Sequence, residues 1–390
     1  MQTVYLDHNA TTPVFPEVVE AMDRIYAERL ANPASQHLPG QHARRVLEDA
    51  RRRIASLLGA DLDSPEPDRL ILTASATEAN NLALLGMARA LGGPPGKVII
   101  SSIEHSSVIE PAEALLEDGW RLETLPVTPQ GVIRTEMLPR LLDCGAQRAA
   151  PRLVSVILAN HETGVLQPVG ELAALCAEQN VPVHTDAAQV VGKLPVDFRR
   201  LGVAAMSFGA HKFGGPVGIG GLLLRHDTPI RPIIFGGHHQ DGLRPGTECV
   251  ALAVGMATAL EICAKRCEEH LRRMAALRDR FEAGLKSNIP DIVVHGSDAT
   301  RLPQTSNIAF PQVDGQVLLL ALSMAGVACS AGAACSSGSS EVSPTLLAMG
   351  VPPQLAASSL RFSLGTTTTE AEIDEAVARI TRVWRELTGK

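Results

Sequence analysis

The stretch VPVHTDAAQVVGKLPVDFRRLGVAAMSFGAHKFGGPVGIGGLLLR, residues 181–225, decides the fold class. Its short runs VPVHTDAA, MSFG and VGIGGLLLR read as buried strands, apolar on both faces and broken by glycine and proline. Upstream, KVIISSIEH (97–105) and RLVSVILAN (152–160) have the same texture, and VGELAALCAEQN (169–180) reads as a helix between two such strands. From about Asp68 to Arg225 the chain is therefore punctuated β-α-β, which predicts an α/β fold with a parallel or mostly parallel sheet covered on each side by helices. Ligands in such sheets collect beyond the carboxyl ends of the strands, and Asn160, Asp186 and Lys212 all fall at such ends.

Asp186 at one strand end and His211-Lys212 at the next form the combination that pyridoxal phosphate (PLP) chemistry needs. A lysine amine joins the cofactor aldehyde, and a buried carboxylate keeps the pyridine nitrogen protonated so that the ring accepts electrons. TASATEANN (73–81) follows a strand-like run and opens a helix. Its free N–H groups and the Thr77 hydroxyl read either as a phosphate cup or as a plain cap from Ser75 to Glu78. His105 reads as a ring-stacking or proton-moving group, or as structural. His211 reads as a phosphate or orientation ligand, with the same alternative. Cys335, in ACSAGAACSSGSSEVSP, is a thiol in a run of small residues that supplies backbone freedom and no packing anchor, and it requires a nearby base or cation to become a good nucleophile. Cys329 reads as packing or as a resolving thiol. Arg361 reads as a bidentate grip on an amino-acid carboxylate or as a surface ion pair.

Composition narrows the class. The chain has 390 residues, 45% hydrophobic and 20% charged, long enough for two well-buried domains. A net charge of -7 without a basic stripe excludes a nucleic-acid groove; the arginines at 44–45 and 51–53 read as a solvated helix face. Seven cysteines without regular spacing fit a reducing cytosol, and the start MQTVYLDHNATTP lacks a secretory pattern, so a cytoplasmic protein is expected. Residues 315–340 carry no charge, yet only the first half is strongly apolar, so a buried helix and a loop are expected there and no membrane span. His238-His239 and the Cys263, Cys267, His270 set lack structural-zinc spacing, and no metal site is expected. A long helix from about Val250 to Lys286 leads into a smaller α+β domain, and Thr369 with Glu372 has capping-box spacing for the last helix. The expected division is a large domain over 14–255 and a small one from 1–13 with 256–390.

With these residues in hand the chain resembles the cysteine desulfurases of the NifS/IscS type, within the PLP-dependent aminotransferase class V superfamily. The likeness runs through YLDHNATTP, NPASQH, ATEANN, EHSSV, HETGVLQPV, HTDAAQVVGKLPVD, AHKFGGPVGIG, RPGTE, SNIAF and ACSS to RFSLGTTTTEAEID, nearly the whole chain. The resemblance implies PLP fold type I, a homodimer, and conversion of L-cysteine to L-alanine with sulfur left as a persulfide on the loop cysteine, for iron-sulfur cluster or other sulfur-transfer pathways. It makes Lys212 the cofactor-bearing lysine, Asp186 the pyridinium partner, His105 the stacking acid/base group and Gln189 the donor to the ring hydroxyl. Ala76, Thr77 and His211 hold the phosphate, Thr247 reaches the neighbouring subunit's cofactor phosphate, Arg361 binds the substrate carboxylate, and Cys335 takes the sulfur.

Three positions depart from the family pattern. His161 stands where an asparagine contacts cofactor and substrate, and an imidazole that titrates near pH 6.5 differs from an amide. Gly209 removes a phosphate-binding serine, for which Ser75 is a substitute. The chain ends at Lys390, soon after its last helical pattern, without the longer tail that similar enzymes use on a scaffold protein, so the sulfur-acceptor protein stays open. The alternatives are a selenocysteine lyase or other class V lyase, and a catalytically weak partner-binding subunit.

Overall fold

Leucine and β-branched runs without polar alternation form the central sheet of the computed structural model, which describes residues 3–143, 149–332 and 342–390. After a short β1 (Val4–Tyr5), the chain lays down β2 (Arg69–Thr73), β3 (Lys97–Ser101), β4 (Arg121–Leu125), β5 (Pro151–Ser155), β6 (Val183–Asp186), β7 (Ala205–Gly209) and β8 (Gly220–Leu224). Their spatial order is β2-β8-β7-β6-β5-β3-β4. Every neighbouring pair is parallel except those of β8, which runs antiparallel to both β2 and β7. The mostly parallel α/β sheet is thus as expected from the sequence.

Side chains alternate between two helical layers, as a pleated strand requires. Leu70, Leu72, Ile99 and Leu223 face a core shared with the helices Leu38–Leu57, Val169–Ala177 and Val250–Lys265. Ile71, Val98, Ile100, Leu222 and Leu224 face a second layer with the helix Ser106–Glu117 and the helical segment that starts at Ala76. Truncating one such buried side chain, as in Ile99→Ala, costs about 2–5 kcal/mol.

A separate apolar core surrounds β9 (Val293–Val294), β10 (Thr305–Ala309), β11 (Val327–Ala328) and β12 (Ser359–Ser363). β10 pairs antiparallel with β9 and β12, while β11 pairs parallel with β1 and so draws the N-terminal segment into this core. The expected single helix over 250–286 is two helices, Val250–Lys265 and Cys267–Asn288, broken at Arg266 (φ -107°, ψ 6°). The break has a packing cause. Leu260 and Cys263 belong to the first core and Met274 to the second, so the apolar face changes partner there. The final helix, Glu370–Thr388, starts with the reciprocal Thr369–Glu372 capping box. The first part of the charge-free segment forms the helix Gly315–Met324, and no described helix is long and apolar enough to cross a membrane.

Candidate active site

Asp186 ends β6 with its side chain 4% exposed. Its Oδ1 accepts from the Ala188 N–H at 2.8 Å and its Oδ2 from Asn80 Nδ2 at 2.8 Å. Among the described residues no lysine, arginine or histidine forms an ion pair with it. Both oxygens are held in place by neutral donors, so the group can still pair with a cation brought by a ligand.

The second Asn80 N–H donates to Ser107 Oγ at 2.8 Å, and Ser107 in turn contacts His105 Nδ1 through its hydroxyl at 2.8 Å and its backbone N–H at 3.1 Å. A backbone N–H only donates, so Nδ1 is the acceptor and the ring proton sits on Nε2. His105, the N-cap of Ser106–Glu117, is therefore oriented as a neutral imidazole with a donor on its far side. Asn80 and Ser107 escaped the sequence reading, although they stand in the ATEANN and EHSSV segments. What joins them to Asp186 is tertiary contact, which spacing does not encode.

His161 meets His105 edge to face, with ring centroids 5.1 Å apart at 80°. It is 7% exposed, its Nδ1 has no hydrogen-bond partner, and Nε2 lies 3.7 Å from Glu162 Oε1. Burial first, and after it the positive field of Arg361, pushes its pKa well below the ordinary histidine value. This overturns the expectation of a ring titrating inside the working range: His161 is neutral. The preceding Asn160 is consumed by the turn, its Oδ1 accepting from the N–H groups of Glu162 and Thr163 and from the Thr163 hydroxyl.

Lys212 follows β7 in a short turn, and its Nζ donates to the carbonyls of Asn9 (2.7 Å) and Ala10 (2.9 Å). Gln189 Nε2 donates to the same Asn9 carbonyl at 3.0 Å. Arg361 on β12 is a buried group, 2% exposed, and its surface-ion-pair reading fails. Its Nη2 donates to Asp7 Oδ1 at 2.8 Å and its Nη1 to the His161 carbonyl at 3.0 Å, while Nε has no partner. Among the described residues two of the five guanidinium donors make a hydrogen bond, which leaves capacity for a carboxylate ligand.

The helix starting at Ala76 brings its first turn against the β7 end. A Cβ at Gly209 would lie 3.3 Å from Ala76 Cβ, 3.4 Å from Ala76 N and 3.7 Å from His211 Cδ2. Gly220 permits this approach, since a Cβ there would fall 2.6 Å from the Ser75 carbonyl carbon. Ser75 caps the helix by accepting from Glu78 N–H at 3.1 Å, so the capping reading holds. Thr77 is exposed at the same helix start. His211 Nδ1 lies 3.3 Å from Thr11 Oγ1, and burial first, then Lys212 and Lys193, lower its pKa to about 4.

Thr247 is exposed. Cys335 lies outside the described residues. Cys329, just after β11, packs against the second core, and burial pushes its thiol up to about 12, which makes it a packing residue. Among the described residues no cluster of three histidine, cysteine or acidic side chains has metal-binding geometry.

This donor set fits PLP: a buried carboxylate awaiting a cation, an adjacent lysine, a helix start for an anion, and a neutral histidine with its free N–H. The strand-end cluster on a mostly parallel, helix-covered sheet defines a PLP enzyme of fold type I. The chain belongs to the aminotransferase class V family, whose model matches residues 4–376. It is similar to cysteine desulfurase IscS of Dictyoglomus turgidum, 38% identical over 384 residues, 98% of this chain and 95% of the relative. It is likewise similar to cysteine desulfurase NifS of Azotobacter vinelandii, 38% identical over 388 residues, 99% and 94% of the two chains. Among solved structures, a NifS-like protein from Rickettsia africae superimposes with a TM-score of 0.87 at 30% identity, covering 100% of both chains.

Proposed function

We propose that the protein is a cysteine desulfurase, releasing L-alanine from L-cysteine and passing the sulfur to Cys335 for iron-sulfur cluster or other sulfur-transfer pathways. The observation that carries the reading is the buried Asp186 carboxylate, held by Asn80 and Ala188 and without a protein cation, in the same site as Lys212 and His105. PLP, when bound, supplies an electron sink for the substrate's bonding electrons. Lys212 holds that cofactor and Asp186 keeps its ring nitrogen protonated. Gln189 donates to the ring hydroxyl, and Ala76, Thr77 and His211 surround the phosphate. Arg361 orients the substrate carboxylate through its remaining N–H groups. His105 offers Nε2–H on the face opposite Ser107 and carries a proton there. His161, kept neutral by burial, is a hydrogen-bonding neighbour to cofactor and substrate, and Cys335 accepts the sulfur.

Two apolar cores support a division into a large and a small domain, with Phe15 in the first core and Val4 and Leu6 in the second; the expected boundary after residue 255 falls inside the helix Val250–Lys265, whose Met256, Leu260 and Cys263 pack in the first core, so that helix goes with the large domain. A homodimer is supported by the exposed large apolar side chains Phe235 (84%) and Val217 (71%), which precede the exposed Thr247 in the chain. Thr247 is then available to a neighbouring subunit's cofactor phosphate. The irregularly spaced cysteines support a cytoplasmic protein, and a persulfide on Cys335 calls for a sulfur-acceptor protein.

The test is release of alanine and sulfide from L-cysteine with a reductant, run beside L-selenocysteine. Equimolar alanine and sulfide is the expected result. Turnover confined to L-selenocysteine would make the protein a selenocysteine lyase, and a purified protein with no yellow PLP absorbance would leave only a partner-binding role.

A further inference from the structure

Lys193, in the VGK segment after Gln189, has a position that the roles above do not use. Its Nζ donates to Gln189 Oε1 at 2.8 Å and to Asn9 Oδ1 at 3.3 Å. The same Asn9 offers its backbone carbonyl to Lys212 Nζ at 2.7 Å and to Gln189 Nε2 at 3.0 Å. One asparagine therefore holds two lysine amines side by side. Gly192 makes the approach possible: at φ 76° it lies so near Phe213 that a Cβ would fall 2.3 Å from Phe213 Cβ. The turn is thus pressed against the residue that follows Lys212.

No carboxylate compensates Lys193. Among the described residues it forms no ion pair, and the cavity of about 60 Å³ that borders both lysines has no acidic lining. The other titratable groups on that cavity are His8, Cys263, Cys267 and His270, and the more distant charge acting on Lys193 is Arg361. Burial lowers the pKa of His8 and His270 and raises that of Cys263 and Cys267, so these walls are neutral near pH 7. Burial and then the neighbouring Lys212 also make a proton on Lys193 costly while both amines are free.

We propose that Lys193 is a positioning residue that keeps the Lys212 amine in its proton-free, reactive form and fixes the amide of Gln189. Two amines in one low-dielectric site compete for a single proton, and the pair titrates together. When Lys212 is joined to the cofactor it ceases to be an ammonium, and Lys193 keeps the proton. When Lys212 is released, the two amines share that one proton, so Lys212 is not left as a permanent ammonium and returns as a base. The lysine, as a donor, also requires the Gln189 amide oxygen to face it, which turns the Gln189 N–H₂ toward Asn9 and the cofactor side.

This inference rests on Lys212 being the cofactor-bearing lysine. The experiment titrates the PLP absorption band of the holoenzyme from pH 6 to 10 in wild type, Lys193→Met, Lys193→Gln and Lys193→Arg, and measures the rate of PLP uptake by each apoprotein across the same range. Removing a neighbouring charge raises the band's midpoint by about one pH unit in the Met and Gln variants and slows uptake at pH 7 up to about tenfold, with recovery at pH 9. The Arg variant keeps the charge and stays near wild type. Lys193→Gln retains an N–H for Gln189 Oε1, so it carries the test if the Met variant folds poorly. A wild-type midpoint in both uncharged variants, or uptake lost at every pH, overturns the proposal. A wild-type protein that forms no PLP band sinks the parent reading and this one together.

Discussion

Replacing His161 by asparagine tests whether the imidazole has a chemical role or a positional one. The structure sets the size of the effect. The variant loses the edge-to-face contact with His105, 5.1 Å between centroids, worth about 0.5–1.5 kcal/mol for an aromatic pair. That energy corresponds to about 2- to 12-fold in kcat/KM. The unpartnered Nδ1 is a buried polar group awaiting a ligand, and an asparagine amide supplies the same hydrogen-bonding capacity, so no larger loss arises there. Because His161 is held neutral by burial and by the charge of Arg361, removing it also leaves the acidic limb of the pH profile in place. The assay is steady-state alanine production from L-cysteine between pH 6 and 9. A loss beyond a hundredfold with PLP still bound would refute the positional role. A displaced acidic limb would refute the neutral state.

Arg361→Lys keeps the charge but not the fork that now spans Asp7 and the His161 carbonyl; the loss of one charge-assisted hydrogen bond, about 1.5–3 kcal/mol, lowers kcat/KM about 10- to 150-fold, and a wild-type value would remove Arg361 from substrate binding. Glu104 is buried, and burial, opposed by hydrogen bonds from Ser101 and Ile157, lifts its carboxyl from 4.5 to about 8. The folded state therefore binds a proton that the unfolded chain has lost between those two values, and stability falls as pH rises through that window. Glu104→Gln has no such slope, so its melting temperature relative to wild type rises from pH 5 to pH 8; a constant difference would contradict the raised pKa. Cys329→Ala retains sulfur release, because the buried thiol at about 12 is not a nucleophile, whereas Cys335→Ala releases little sulfide; the opposite pattern would reverse the two roles.

Asp186 and Lys212 were legible because each closes a run of buried residues, and a polar residue at such a boundary stands out against the apolar pattern before it. The direction of β8 was not, since GGLLL is apolar on both faces and carries no mark of its partners. The helical periodicity through residues 250–286 is nearly unbroken, so the change of core at Arg266 left no trace in it. Arg361 was readable as a candidate carboxylate ligand, but its burial depends on the pairing of β10 with β12 and on Asp7, 354 residues away in sequence. Asn9 and Lys193 were missed for the same reason: their importance lies in which distant oxygens they share.

Asn9 explains why the site needs both cores. Its backbone carbonyl receives Lys212 and Gln189 from the sheet side, its Oδ1 receives Lys193, and its Nδ2 donates to Thr305 Oγ1 on β10 at 2.9 Å. Its own N–H donates to Ser363 Oγ at the end of β12. The short strand β1, paired with β11, anchors the segment just before it. Any shift of the second core relative to the large sheet must therefore stretch hydrogen bonds at Asn9 and alter how both lysines are held. Arg361 has the same geometry in reverse, reaching from β12 to the His161 carbonyl on the sheet side. Arg361 and Lys212 are thus tied to each other through main-chain oxygens, and those oxygens keep their hydrogen-bonding capacity whatever side chain the position carries, which is how position 161 accommodates histidine without loosening Arg361.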